Sequence, residues 1–153
     1  MDAITLLKDD HKKVREMFRE FEAAGDRAYK TKQRIAEQVF MELEVHSKIE
    51  EEIFYPAVRE KAGKEGKELV AEGFEEHHVV DVLIGELKAL DPEAEEYDAK
   101  FKVLTENVEH HIEEEEQEMM PEAKEALGEA LAELGERMLR RKEELMAQMG
   151  SRA

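Results

Sequence analysis

The chain writes one phrase twice. HSKIEEEIFYP runs from His46 to Pro56, and HIEEEEQEMMP runs from His111 to Pro121. In both, Glu follows His by four places and Pro follows it by ten. His and Glu at i and i+4 project from one face of a helix, a turn apart. Each phrase therefore demands a helix with a polar pair on a single face. The pair recurs at a fixed interval: His46 to His111 is 65 residues, as is Glu50 to Glu115. His11 and His77 are 66 residues apart. Apolar residues follow His11 at Val14, Phe18 and Phe21, and follow His77 at the same steps, Val80, Ile84 and Leu87. The chain reads as two copies of one helical hairpin, residues 1–62 and 66–123, each carrying H…HxxxE.

The flanking periodicity is helical throughout. Ile4, Leu7, His11, Val14, Phe18 and Phe21 mark a first helix, which stops near Ala24-Gly25-Asp26. Ile35, Val39, Leu43, His46, Glu50 and Ile53 form the stripe of a second, expected from about Asp26 to Ala62 with a bend at Pro56. Gly63 and Gly66 bracket the next turn. Leu69, Phe74, His77, Val80, Ile84 and Leu87 mark the third helix. Asp91-Pro92-Glu93 has the residue order of a helix start, with Asp as N-cap and Pro at the first helical position. The fourth stripe is Tyr97, Phe101, Leu104, Val108, His111 and Glu115. Leu127, Leu131, Leu134, Met138, Leu145 and Met149 suggest a fifth, C-terminal helix within residues 124–153. The short loops predict antiparallel neighbours. The expected fold is all-α: an up-down-up-down four-helix bundle with the fifth helix packed on it.

Composition narrows the functions. Forty acidic residues against 23 basic give a formal charge of −17, which repels phosphate backbones and argues against a nucleic-acid partner. There is no cysteine, so disulfides, zinc–thiolate sites and thiol catalysis are excluded. No apolar run approaches the ~18 residues of a membrane span. The N-terminal MDAITLLKDDHKK lacks the basic-then-apolar pattern of a signal peptide, so a cytoplasmic setting is expected.

Four core stripes are each broken by a histidine: His11, His46, His77 and His111. One such residue is most simply a satisfied core or boundary group. Four, joined by two HxxxE pairs at matched spacing, form a pattern. Burying four imidazoles and two carboxylates without a cation would cost on the order of several kcal/mol. The reading is a metal centre ligated by His11, His46, Glu50, His77, His111 and Glu115. A carboxylate can bridge two metals, so two symmetric half-sites point to a dinuclear centre. Nitrogen and oxygen donors without thiolate favour iron or manganese.

These residues resemble the hemerythrin family in its HHE cation-binding form. The resemblance covers about Leu6 to Glu122 and rests on Asp10-His11, His46 to Pro56, EEHHVV at Glu75 to Val80, and His111 to Pro121. It implies an up-down bundle holding two iron ions, a non-haem di-iron centre with an oxo or hydroxo bridge. Such a centre meets O₂, peroxide or NO. Oxygen-carrying hemerythrins have a further His one turn before the third-helix His, where this chain has Gly73. Their last carboxylate is an Asp five residues after the fourth-helix His. Here Glu115 stands at four and Glu116 at five. Six ligands in place of seven leave a coordination position open near Gly73. That shifts the expectation from O₂ transport toward redox chemistry such as peroxide consumption. The alternatives are a non-catalytic O₂ or NO sensor or store, and an acidic bundle without metal.

His78 and His110 adjoin the ligand histidines but lie roughly 100° round the helix and are expected at the surface, with Glu51, Glu114 and Glu116 similarly placed. Tyr55 breaks the repeat, since Met120 is its partner. It is either an interfacial aromatic or a group whose phenol reaches the metals as an extra ligand or hydrogen-bond donor. The fifth helix covers the bundle or forms an interface, and a monomer or weak homodimer is expected.

Overall fold

The structure, a computed structural model, describes residues 1–150. Helix α1 (Ala3–Ala23) opens where the Asp2 carboxylate accepts a hydrogen bond from the Thr5 N–H at 2.8 Å, an N-cap that satisfies one of the free first-turn donors. A turn closed by the Ala28 N–H on the Gly25 carbonyl leads into α2 (Tyr29–Ile49), so the second helix starts slightly after the expected Asp26. It continues through a π-helical turn, π1 (Glu50–Phe54), into α3 (Tyr55–Lys61). Helix α4 (Lys64–Ala89) returns. The fourth long helix repeats the device: α5 (Glu95–Glu114), π2 (Glu115–Met119), α6 (Met120–Leu127).

The bend expected at Pro56 is thus a wide turn just before it. In an unbroken α-helix the Pro56 ring would meet the carbonyl of Glu52, and its missing N–H would leave that carbonyl without a donor. Opening one turn by one residue shifts the bonding, and the Tyr55 N–H reaches the Glu50 carbonyl, five residues back. Before Pro121 the Met120 N–H reaches Glu115 in the same way. Such π-bulges cluster at functional sites, and here each begins on a Glu of an HxxxE pair.

Further expected boundaries move. Gly66, expected to close the turn after Gly63, lies inside α4. Asp91 is not the N-cap of α5: its carboxylate accepts from the Glu93 N–H at 2.9 Å and its carbonyl accepts from the Ala94 N–H, a self-contained Asx turn that delays the helix to Glu95. Leu127 ends α6, and the chain reverses at Gly128, whose φ of +48° suits glycine, before α7 (Ala130–Gly150).

Helix α1 packs on α2 and α4 on α5, while α7 lies along α1, α2 and π1. The bundle is all-helical among the described residues, as the stripes predict, and no helix is long and apolar enough to cross a membrane. The apolar face of α7, with Leu131, Leu134, Met138 and Leu145, is buried against the bundle. Two apolar clusters result. One gathers Leu6, Leu7, Ile49, Phe54, Tyr55, Met120 and the α7 face. The other gathers Val14, Phe18, Phe21, Val80, Ile84, Phe101 and Val108, with Phe21 and Phe101 stacked at 3.7 Å between centroids. Along α1, His11 falls between Leu7 of the first cluster and Val14 of the second, so a polar layer separates the two.

Candidate metal centre

Four helices bring their histidines to that layer: His11 from α1, His46 from the end of α2, His77 from α4 and His111 from α5. Glu50 and Glu115 are the first residues of π1 and π2. All six are buried. The Nε2 atom of His11 lies 3.0 Å from Glu115 Oε1, and that of His77 lies 3.0 Å from Glu50 Oε1. Nε2 of His46 is 3.2 Å from Glu50 Oε1 and 3.9 Å from Glu115 Oε1. Nε2 of His111 is 3.2 Å from Glu115 Oε2 and 3.8 Å from Glu50 Oε1.

The carboxylates therefore cross between hairpins. His11, His46 and Glu115 form one group able to hold a cation; His77, His111 and Glu50 form the other. Each Glu also stays within 3.2 Å of the His on its own helix. A carboxylate facing imidazoles of both hairpins occupies the place of a bridge. The halves match in shape, with His11 and His46 ring centroids 5.1 Å apart and His77 and His111 4.9 Å apart.

An outer ring of carboxylates orients the imidazoles. Nδ1 of His11 meets Glu116 at 2.6 Å, that of His46 meets Asp10 at 2.9 Å, that of His77 meets Glu51 at 2.7 Å and that of His111 meets Glu76 at 2.5 Å. An Nδ1–H donating to a carboxylate leaves the Nε2 lone pair for a cation, fixes the ring and strengthens the donor. The ring obeys the repeat. Asp10 and Glu76 each precede a hairpin's first His, and Glu51 and Glu116 each follow the Glu of an HxxxE pair. These four are the functional residues that the stripe argument misses. Glu51 and Glu116 sit outside the inner face, as expected, yet each still reaches a ring nitrogen. His78 and His110 are exposed.

Among the described residues, His46 Nε2, His111 Nε2 and Glu50 Oε2 are buried without a hydrogen-bond partner. Orphaned buried polar atoms are costly and rare, and all three belong to the six inner residues. Two donors each about 2.1 Å from one ion, at right angles, stand about 3 Å apart, which matches the shorter Nε2–carboxylate spacings. An all-nitrogen-and-oxygen donor set fits a hard or borderline cation. In the metal-free protein, protons take the cation's part. Burial pushes the His46 imidazolium down, but the charge of Glu50 and the bond to Asp10 outweigh it and hold its pKa well above the usual value. Burial raises Glu50, but the charge of His46 and its other neighbours hold it well below the carboxylate range.

The hemerythrin HHE cation-binding domain profile matches residues 2–123. The chain belongs to the hemerythrin HHE family. It is 30% identical over 112 residues to a hemerythrin-like protein of Schizosaccharomyces pombe, covering 73% of this chain and 54% of that one. It is 29% identical over 119 residues to a DNA nickase of Nostoc, covering 76% of this chain and 32% of that one. The chain thus spans about half and about a third of the two curated relatives. A solved hemerythrin HHE cation-binding domain-containing protein from Mycobacterium kansasii superposes with a TM-score of 0.84 and 25% identity, covering 97% of this chain and 89% of that one.

In this hemerythrin-type bundle the place beside Gly73 is filled, contrary to the opening expected there. A Cβ at Gly73 would lie 2.7 Å from the Tyr55 hydroxyl. The glycine admits Tyr55, which is fully buried and stacked on His77 with centroids 5.3 Å apart. The phenol donates to Glu115 Oε2 at 3.3 Å and lies 3.2 Å from His77 Nε2. Burial, then the charges of Glu50 and Glu115, push its pKa well above the phenol's ordinary value, so it is a donor in the metal-free protein. The free space lies elsewhere. A cavity of about 30 Å³ borders all four histidines with Asp10, Glu42 and Ser47, and is otherwise walled by Val14, Leu43, Val80, Val108 and Ile112 of the second apolar cluster.

Proposed function

We propose that the protein is a non-haem di-iron protein that binds and consumes peroxide, with O₂ and NO as related ligands. The convergence of four Nε2 atoms and two bridging carboxylates, three of their atoms without partners, carries this reading. His11, His46 and Glu115 would hold one ion, and His77, His111 and Glu50 the other, with both Glu residues shared. Iron so held supplies redox and Lewis-acid chemistry. The chain's own groups do the rest. The outer carboxylates keep the imidazole lone pairs inward. Tyr55 offers a hydroxyl that can donate to bound oxygen or take a coordination position itself. The cavity has room for a molecule of water or peroxide size. Its apolar walls suit a small neutral ligand.

The name of the Nostoc relative does not carry over: a charge of −17 opposes phosphate binding. A cytoplasmic monomer or weak homodimer completes the proposal. The experiment is peroxide consumption by iron-loaded protein, with O₂ release followed against free iron. More than one equivalent consumed per centre supports the enzyme. Two irons with no consumption above free iron leave a sensor or store, which the small cavity fits equally.

A further inference from the structure

The two halves match in their inner ligands and outer carboxylates; besides Tyr55 against His77, they differ in the charge beside those outer carboxylates. Asp10 and Glu76 are equivalent in the repeat and do the same work, on Nδ1 of His46 and of His111. Asp10 has a second partner, the ammonium of Lys142 on α7, 2.5 Å from Oδ1. Glu76 has no such cation: among the described residues its ion-pair partners are His111 and the exposed His110. Its other near neighbour is an acid. Glu114 lies with Glu76 around His110, 3.3 Å from its Nε2, and adds a carboxylate rather than a cation to this side. Helix α7 has no counterpart in the repeat, and among the described residues no lysine pairs with Glu76.

We propose that Lys142 makes the two cation positions unequal, weakening the His11–His46–Glu115 position so that the His77–His111–Glu50 position takes the first ion. The inference rests on the two-metal reading above. Two effects act in one direction. An ammonium sharing the Asp10 charge leaves the carboxylate less able to enrich His46 as a donor. Its own charge also repels an incoming cation. Both groups are largely buried, with side-chain exposures of 22% and 7%, so solvent and salt screen them little. Lys142 is a positioning residue: it reaches the metal only through Asp10 and His46.

The test is stepwise Co²⁺ binding to the metal-free protein by titration calorimetry. Wild type should show two steps separated by about tenfold or more, the size expected of one partly buried charge. His111→Ala should lose the tight step, and His46→Ala the weak one. Lys142→Met should tighten the weak step by about tenfold and leave the other in place, while Lys142→Arg, which keeps the charge, should resemble wild type. Tyr55 touches both halves, at His77 and at Glu115, and is untouched by these variants. Glu114→Lys approaches from the other side: a cation beside Glu76 should loosen the tight step, a readout independent of α7. Unchanged steps in both Lys142→Met and Glu114→Lys would overturn the proposal. So would a weakened second ion in Lys142→Met, which would make Lys142 only an anchor for Asp10. Fewer than two ions in wild type would sink the two-metal reading and this inference together; two ions with unaltered steps sink this inference alone.

Discussion

At the scale of single residues, the carboxylates divide into those that hold and those that aim. Glu50 and Glu115 lie among the histidines, so replacing either with Ala should remove most metal affinity. Glu113 is exposed and accepts from Gln117 away from the site, so Glu113→Ala should leave the metal content unchanged. Equal losses at Glu113 and Glu115 would contradict the site. Glu51→Gln or Glu116→Gln keeps the shape but weakens an outer carboxylate, and should reduce affinity by about 10–100-fold as measured by competition with a chelator. The inner six were legible because each interrupts an apolar stripe. The outer four were not. In a chain with forty acids, an acid beside a stripe looks like any solvated helix face. Only their obedience to the 65- and 66-residue repeat marks them, and that signal was present. Gly73 was legible as a departure but not in its meaning, because its neighbour Tyr55 comes from another helix.

At the scale of elements, the four long helices follow from periodicity, while the π turns do not. An extra residue in one turn leaves the stripes on either side intact, and only Pro56 and Pro121 signal a discontinuity. Docking of α7 was legible as an apolar stripe that covers the bundle or forms an interface, but not in the contacts it makes. The structure supplies one: a Cβ on Gly135 would collide with the backbone carbonyl of Met1, so α7 crosses the start of α1 at a distance only glycine allows. Gly135→Val should force the elements apart and cost about 1–3 kcal/mol, the range of overpacked cores. Amide hydrogen exchange should show α7 losing protection first. Unaltered protection in α7 would show that the contact adjusts without cost.

At the scale of the molecule, the polar layer links stability to metal and to pH. In the metal-free protein His46, His77 and His111 are buried, which alone would lower their pKa values, but their carboxylate partners raise them above the ordinary 6.5. A raised folded-state value stabilises fully below the unfolded pKa and ceases to do so as pH rises through the folded one. The melting temperature of the metal-free protein should therefore fall from neutral pH into the alkaline range. Glu50, Asp10 and Glu76 are depressed below their ordinary 4.5, 3.8 and 4.5, so their contribution is present above those values and lost as pH falls through the folded ones. Metal-loaded protein, with its imidazoles already neutral, should melt higher and decline less on the alkaline side. Parallel alkaline slopes with and without metal would contradict the linkage.

The central claim is that two symmetric half-sites share two carboxylates and hold two ions in one chain. The most direct measurement is metal per chain in protein produced with ample iron, by elemental analysis alongside the visible spectrum. The account predicts about two irons per chain, both lost when Glu50 and Glu115 are replaced together. A reproducible single iron, or none after iron loading, would contradict it.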